Sequence, residues 1–207
     1  MIESLFELIG RYPKLQNCEN EITQSANLLI QAFEDGHRLY LCGNGGSAAD
    51  ADHIVGELMK GFLKKRPLSD KQKKAFGTED THLADGLMGG LPAISLHSQS
   101  SLLTAFMNDE DPSLVYAQAL YSLGQKDDVL LAISTSGNSD NIVYAAKTAK
   151  ALGMKVIALT GETPCRLDEL SDVTVHVGDK ETYRVQELHL PVYHWLCAKI
   201  EDYFFEV

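Results

Sequence analysis

Two pairs of side chains in this 207-residue chain have the types and spacing to move protons or to hold a metal ion. His53 and Glu57 stand four apart in a helical pattern, so they share one helix face. Such a pair could bind a divalent cation, could act as a base with its partner, or could be an ordinary exposed ion pair. Near the C-terminus Gln186, Leu190 and His194 advance in fours, which turns Gln186 and His194 toward one region, with Glu187 and His189 beside them. Two helices that each present a histidine and an oxygen-bearing side chain could close a four-ligand site of nitrogen and oxygen donors.

Two further segments have the composition to grip an anion. Gly43-Asn44-Gly45-Gly46-Ser47 and Ser134-Thr135-Ser136-Gly137-Asn138-Ser139 each fall where an apolar run gives way to a helical pattern. A strand-to-helix turn of this kind offers backbone N–H groups and hydroxyls, with the positive end of the helix dipole behind them. The spacing Gly43-x-Gly45-x-x-Ala48 superficially fits a dinucleotide fingerprint. That fingerprint needs an acidic residue at the end of the second strand, but Leu96 is followed by His97, Ser98 and Gln99. A P-loop is excluded too, because no Gly-Lys-Ser/Thr follows the glycines. What remains is a clamp for a single phosphate group, with hydroxyls from Ser134, Thr135, Ser136 and Ser139 and close backbone approach at Gly137. Ser47 and Ser139 could equally serve as helix N-caps.

The elements that must position these residues follow from periodicity. Helices are expected over about Ile2–Ile9, Glu19–Phe33, Ala48–Lys60, Ser100–Met107, Ser113–Leu123, Asp140–Leu152 and Thr182–Phe204. Short apolar strands are expected over Arg38–Cys42, Pro92–Leu96, Asp128–Ile133, Lys155–Thr160 and Val173–Val177. Strands alternating with helices imply parallel pairing with right-handed crossovers. The expected fold is a doubly wound three-layer αβα sandwich, with ligand chemistry at the carboxyl ends of the strands. The chain reads as one domain over residues 1–207, with N-terminal helices in 1–35 and an inserted excursion over about 64–90. Lys60, Lys64, Lys65, Arg66, Lys71, Lys73 and Lys74 crowd the start of that excursion. It reads either as a solvated surface loop or as a lid that attracts an anionic substrate, and in both cases it adds little to a core.

Composition narrows the function. A formal net charge of −11 argues against broad nucleic-acid binding, so an anionic ligand must be held by local dipoles, a metal or a local basic patch. Cys18, Cys42, Cys165 and Cys197 are scattered without a Cys-x-x-Cys pair, as in a reduced protein. No basic-then-apolar leader and no run of membrane-spanning length is visible, so the cytoplasm is the expected location and no membrane partner is expected. The remaining histidines, His37, His82, His97 and His176, are read as structural.

Taken together, the motifs resemble those of sugar isomerase (SIS) domains, specifically the phosphoheptose isomerases. The resemblance rests on Gly43-Asn44-Gly45-Gly46-Ser47, His53-x-x-x-Glu57, Asn108-Asp109, Ile133 to Ser139, and Gln186-Glu187-x-His189 with His194. It implies a flavodoxin-like fold with a five-stranded parallel sheet, a homotetramer, and active sites at subunit interfaces. It implies aldose–ketose isomerisation of sedoheptulose 7-phosphate to D-glycero-D-manno-heptose 7-phosphate. By the same resemblance Ser47, Ser134, Thr135, Ser136 and Ser139 hold the phosphate, Asn44 and Asp109 contact sugar hydroxyls, and Gly45, Gly46, Asn108 and Gln186 complete the substrate site. Glu57 and His194 become the acid/base pair, and His53, Glu57, Gln186 and His194 match zinc ligands. Related SIS proteins without enzymatic activity, and isomerases of other sugar phosphates, are the alternatives. Tyr183 stands where the family commonly has an aspartate, and the excursion is longer than the family's usual connection; both could mark a different sugar.

Overall fold

The computed structural model describes residues 3–77 and 81–205. Helix α1 (Leu5–Arg11) opens at Ser4, whose hydroxyl accepts from the Glu7 N–H while the Glu7 carboxylate accepts from the Ser4 N–H. A 3-10 turn (Pro13–Cys18) leads into α2 (Glu19–Glu34), then β1 (Leu39–Cys42) and α3 (Gly46–Met59). The chain continues through α4 (Asp70–Lys74) and α5 (Thr81–Gly86) to β2 (Ala93–Ser95) and α6 (Ser100–Asp109). It then forms α7 (Val115–Leu123), β3 (Val129–Ile133), α8 (Asp140–Ala151), β4 (Lys155–Thr160), β5 (Val173–His176) and α9 (Thr182–Phe204). The residues expected to open the seventh helix instead make a 3-10 turn over Pro112–Leu114, where Asp111 accepts from the Ser113 N–H.

The five strands form one sheet in the order β2-β1-β3-β4-β5. Every pairing is parallel, with Leu41 beside Ser95 on one side and Leu131 on the other. Both faces are covered, which is why β1 and β3 are apolar at every position and buried throughout. Alternate side chains enter two separate cores. Leu39, Leu41, Leu131 and Ile133 pack with α2, α3 and α9, whereas Tyr40, Cys42, Leu130 and Ala132 pack with α7 and α8. The strand order reverses between β1 and β3, and this switch point is where a doubly wound sheet opens a crevice for a ligand.

The excursion departs from its sequence reading. Arg66 is not part of a solvated basic face: its side chain is fully buried and donates to Glu201 Oε1 at 2.8 Å. Its other nitrogens donate to the backbone carbonyls of Leu58 and Glu57, tying the excursion to the end of α3. Glu201 in turn accepts from the N–H groups of Phe62, Leu63 and Lys64. Lys64 pairs with Asp202, Lys60 with Glu57 and Lys73 with Asp85, so much of the apparent positive cluster is neutralised locally. An antiparallel bridge between Pro67 and Met88, with the Gly89 N–H donating to the Arg66 carbonyl, closes the base of the loop. Among the described residues no helix is long and apolar enough to cross a membrane.

Candidate active site

Both Gly/Ser turns lie at the carboxyl ends of neighbouring central strands, the first leaving β1 and the second leaving β3. In the first, Gly45 adopts φ 55°, which turns the chain directly into α3 two residues earlier than its apolar pattern suggests. A Cβ on Gly43 would fall 2.4 Å from the Ser47 carbonyl oxygen, so only glycine allows this closeness. Ser47 is buried beneath the turn. Tyr116, on α7, donates to the Gly43 carbonyl at 2.8 Å and steadies the turn from the opposite core.

In the second turn Gly137 adopts φ 63°, and a Cβ there would collide with the Cys165 sulfur. Ser134 is buried and its hydroxyl lies 3.4 Å from that of Ser139. Ser139 makes no side-chain cap bond, although it sits at the cap of α8, and the Ser136 hydroxyl accepts from the Asn138 N–H. Thr135 anchors the turn by accepting from the Gly161 N–H through its carbonyl. The two turns are joined by a reciprocal amide pair: Asn44 donates to Asn141 at 2.9 Å and Asn141 donates back at 2.8 Å.

The acid/base and metal candidates meet where α3 packs on α9. Nε2 of His53 is 3.2 Å from Oε1 of Glu57. The His194 ring stands edge-on to the His53 ring at 4.9 Å. Gln186 lies against the start of α3, since a Cβ on Gly46 would be 2.6 Å from its Nε2. Lys60 Nζ reaches the other Glu57 oxygen at 3.3 Å. Burial pushes the His194 pKa below the ordinary histidine value; neighbouring His53 pushes the same way and Glu57 only partly opposes it. His194 is therefore biased toward the neutral imidazole.

Several residues fall elsewhere. His189 is no site residue: it is fully buried, its Nε2 faces the Thr160 carbonyl at 3.3 Å, and burial lowers its pKa to about 4. Asn108 and Asp109 end α6 and are exposed, and their side chains hydrogen-bond only to each other among the described residues. Tyr183 is exposed on the first turn of α9 and its hydroxyl accepts from Arg184. His97 is engaged by Asp52 at 3.0 Å and by Ser95, and His176 by Asp168 at 2.9 Å, so both are held in structural networks.

Sequence reasoning missed Asp50 and Tyr193. The Tyr193 hydroxyl donates to Asp50 Oδ1 at 3.2 Å and lies 3.0 Å from His53 Nδ1. Asp50 was findable, because it precedes His53 by three and Glu57 by seven and so shares their helix face. Tyr193 reads as an ordinary core aromatic, and nothing in its spacing sets it apart.

A doubly wound sheet with two Gly/Ser turns at its switch point, beside a His/Glu/His set, is the arrangement of a SIS domain. The SIS domain family matches residues 12–84 and 83–161. The phosphoheptose isomerase of Helicobacter pylori is 38% identical over 190 residues, covering 92% of this chain and 88% of the relative. That of a Nitratiruptor species is 39% identical over 177 residues, covering 86% and 83%. Among solved structures, the phosphoheptose isomerase of Neisseria gonorrhoeae superposes with TM-score 0.73 at 31% identity, covering 94% of this chain and 93% of that one. The Francisella tularensis enzyme gives 0.74 at 30% identity, covering 96% and 98%. The chain belongs to the SIS domain family and, within it, to the phosphoheptose isomerases.

Proposed function

We propose that this protein is an aldose–ketose isomerase that converts sedoheptulose 7-phosphate to D-glycero-D-manno-heptose 7-phosphate. One observation carries the reading beyond family membership. His53, Glu57 and His194 meet at the packing of α3 on α9, beside the first phosphate loop. The phosphate rests on Ser47, Ser134, Thr135, Ser136 and Ser139, and Asn44 meets a sugar hydroxyl. Glu57 removes a proton from C1 of the ketose and returns it at C2, through an enediolate. His194 gives a proton to the C2 carbonyl oxygen and takes one from the C1 hydroxyl. Its bias toward the neutral form suits a group that must both donate and accept.

A zinc ion would be held by His53, Glu57, Gln186 and His194, and it would supply Lewis-acid polarisation of the carbonyl. The donor chemistry fits, two nitrogens and two oxygens, and His53 Nε2 and Glu57 Oε1 are close enough to share one ion. Among the described residues no three His, Cys, Asp or Glu side chains stand together at ligand spacing. The fit therefore rests on the donor set and on the His53–Glu57 pair. Elemental analysis of protein purified without chelator should find about one zinc per chain.

Asn108 and Asp109 are exposed at the end of α6, which suits an assembly where they serve a neighbouring copy. We propose a homotetramer, testable by sedimentation equilibrium. The cysteines are all free, and burial pushes the Cys18 thiol up to about 12, as suits a cytoplasmic protein.

The decisive experiment incubates the protein with sedoheptulose 7-phosphate and follows aldose formation by NMR, with pentulose and hexulose phosphates alongside. Glu57→Gln should abolish turnover while sparing phosphate binding. Turnover only on another ketose phosphate would reassign the substrate and make Tyr183 the first suspect. Binding without turnover on any of them would make this a non-enzymatic member of the family.

A further inference from the structure

We propose that His189 is a positioning residue for the phosphate turn: through two peptide units it aims the Ser136 N–H into the crevice between the two Gly/Ser turns, as a donor to the substrate phosphate. The inference rests on the phosphate-clamp reading and adds to it a backbone donor and the remote side chain that directs it.

The parallel ladder between β3 and β4 breaks where the second turn begins. The Ser134 N–H still donates to the Leu159 carbonyl, as the register requires. In a continued ladder the Ser134 carbonyl would accept from Gly161, and the Gly161 carbonyl from Ser136. Instead the Ser134 carbonyl accepts from Gly137, and the Gly161 N–H reaches one residue further, to the Thr135 carbonyl at 3.0 Å. The Gly161 carbonyl is taken by His176 Nδ1 at 2.7 Å. The Ser136 N–H is thereby released, and among the described residues no backbone carbonyl takes it.

Its direction follows from the peptide plane. No peptide bond among the described residues is cis, and in a trans peptide the C=O and N–H point in opposite senses. The Thr135 carbonyl points toward β4, so the Ser136 N–H points away from it. On that side of β3 lies β1, whose turn carries Ser47. Ser136 is exposed there, open to an incoming ligand.

The same geometry holds one peptide deeper. The Gly161 N–H and the Thr160 C=O belong to one unit, so whatever fixes the Thr160 carbonyl fixes the donor that holds Thr135. That carbonyl accepts from the Val177 N–H at 3.0 Å and faces His189 Nε2 at 3.3 Å. A carbonyl oxygen can only accept, so Nε2 carries the proton. Nδ1 is buried with no partner, a cost that leucine at this place in the core would avoid. Among the described residues the bond to Thr160 is the only one the imidazole makes. Hydrogen-bonded peptides in series also polarise one another, which strengthens the last N–H as a donor to an anion.

Inorganic phosphate is the probe. In wild-type protein labelled with 15N-serine, the Ser136 amide, assigned by the loss of its signal in Ser136→Ala, should move downfield when phosphate is added. His189→Leu should weaken phosphate binding, read by calorimetry, by about tenfold, near the upper limit for one buried hydrogen bond. KM for sedoheptulose 7-phosphate should rise by the same factor with kcat unchanged, and the amide shift should shrink. His189→Gln puts an amide N–H near the place of Nε2 and should restore affinity and shift toward wild type, which a packing role alone would not do. Three results would each overturn the positioning role: phosphate binding that leaves the wild-type Ser136 amide unmoved, undiminished affinity in His189→Leu, or glutamine no better than leucine. The first is measured on the wild type and decides whether or not the variants fold. Wild-type protein that binds no phosphate would sink the clamp reading together with the positioning role.

Discussion

Replacing Arg66 by methionine should be among the most damaging single changes outside the site. The guanidinium is fully buried and satisfies three acceptors at once: Glu201 at 2.8 Å, the Leu58 carbonyl at 2.7 Å and the Glu57 carbonyl at 3.0 Å. Methionine fills similar space but leaves the Glu201 carboxylate buried without its counter-charge. Removing one partner of such a pair costs about 3–5 kcal/mol. For a domain of this size that is a fall of about 6–20 °C in Tm, at about 2–4 °C per kcal/mol. The acid side of the stability curve should change as well. Burial raises the Glu201 pKa, but the Phe62 and Leu63 N–H groups and Arg66 outweigh it and leave the carboxyl below its ordinary value. Its contribution is present above the unfolded glutamate value of about 4.3 and is lost as pH falls through the lower folded one. Arg66→Met should weaken that dependence. The double change Arg66→Met with Glu201→Leu should not restore stability, because it orphans the N–H groups of Phe62, Leu63 and Lys64. Urea and thermal denaturation, followed by circular dichroism, measure all of this. A Tm within about 2 °C of wild type, less than about 1 kcal/mol here, would refute the reasoning.

Ser134→Ala and Ser136→Ala should raise KM with little change in kcat, each by about 10- to 150-fold, the equivalent of a lost charge-assisted hydrogen bond of about 1.5–3 kcal/mol. Steady-state kinetics with inorganic phosphate as competitor checks both size and cause. The acid limb of kcat/KM should lie below the ordinary histidine value of about 6.5, because burial holds His194 neutral to lower pH. An acid limb above that value would remove His194 from the shuttle role. Deleting residues 68–87 and joining Pro67 to Met88 by a short Gly/Ser link should leave a folded protein whose rate depends on salt as before. That segment has three lysines against four acidic residues, and within it Ala84 alone is a buried apolar residue among those described. A markedly weaker salt response in the truncated protein would restore the anion-attracting arm.

The strands and both turns were legible because their signals are local. Leu39–Cys42 and Val129–Ile133 are unbroken apolar runs, and the glycines that follow mark where the chain must bend. The pairing of His53 with Glu57 was legible for the same reason, as a spacing within one helix. What stayed hidden depends on contacts between distant segments. Arg66 looks like its lysine neighbours in sequence, and only Glu201, 135 residues away, makes it a core residue. His189 shares a motif with Gln186, yet its position on the helix turns it into the core against Thr160. Asp50 and Tyr193 are separated by 143 residues and gain meaning only when α3 packs on α9.

The Asn44–Asn141 pair has a mechanical consequence. The turns it joins leave the sheet on opposite sides, since α3 belongs to one core and α8 to the other. A phosphate ester seated across both turns would therefore rivet the two layers together at the point where the chain divides them. Amide hydrogen exchange should then slow in α3 and α8 together on ligand binding, although neither helix lies in the other's core.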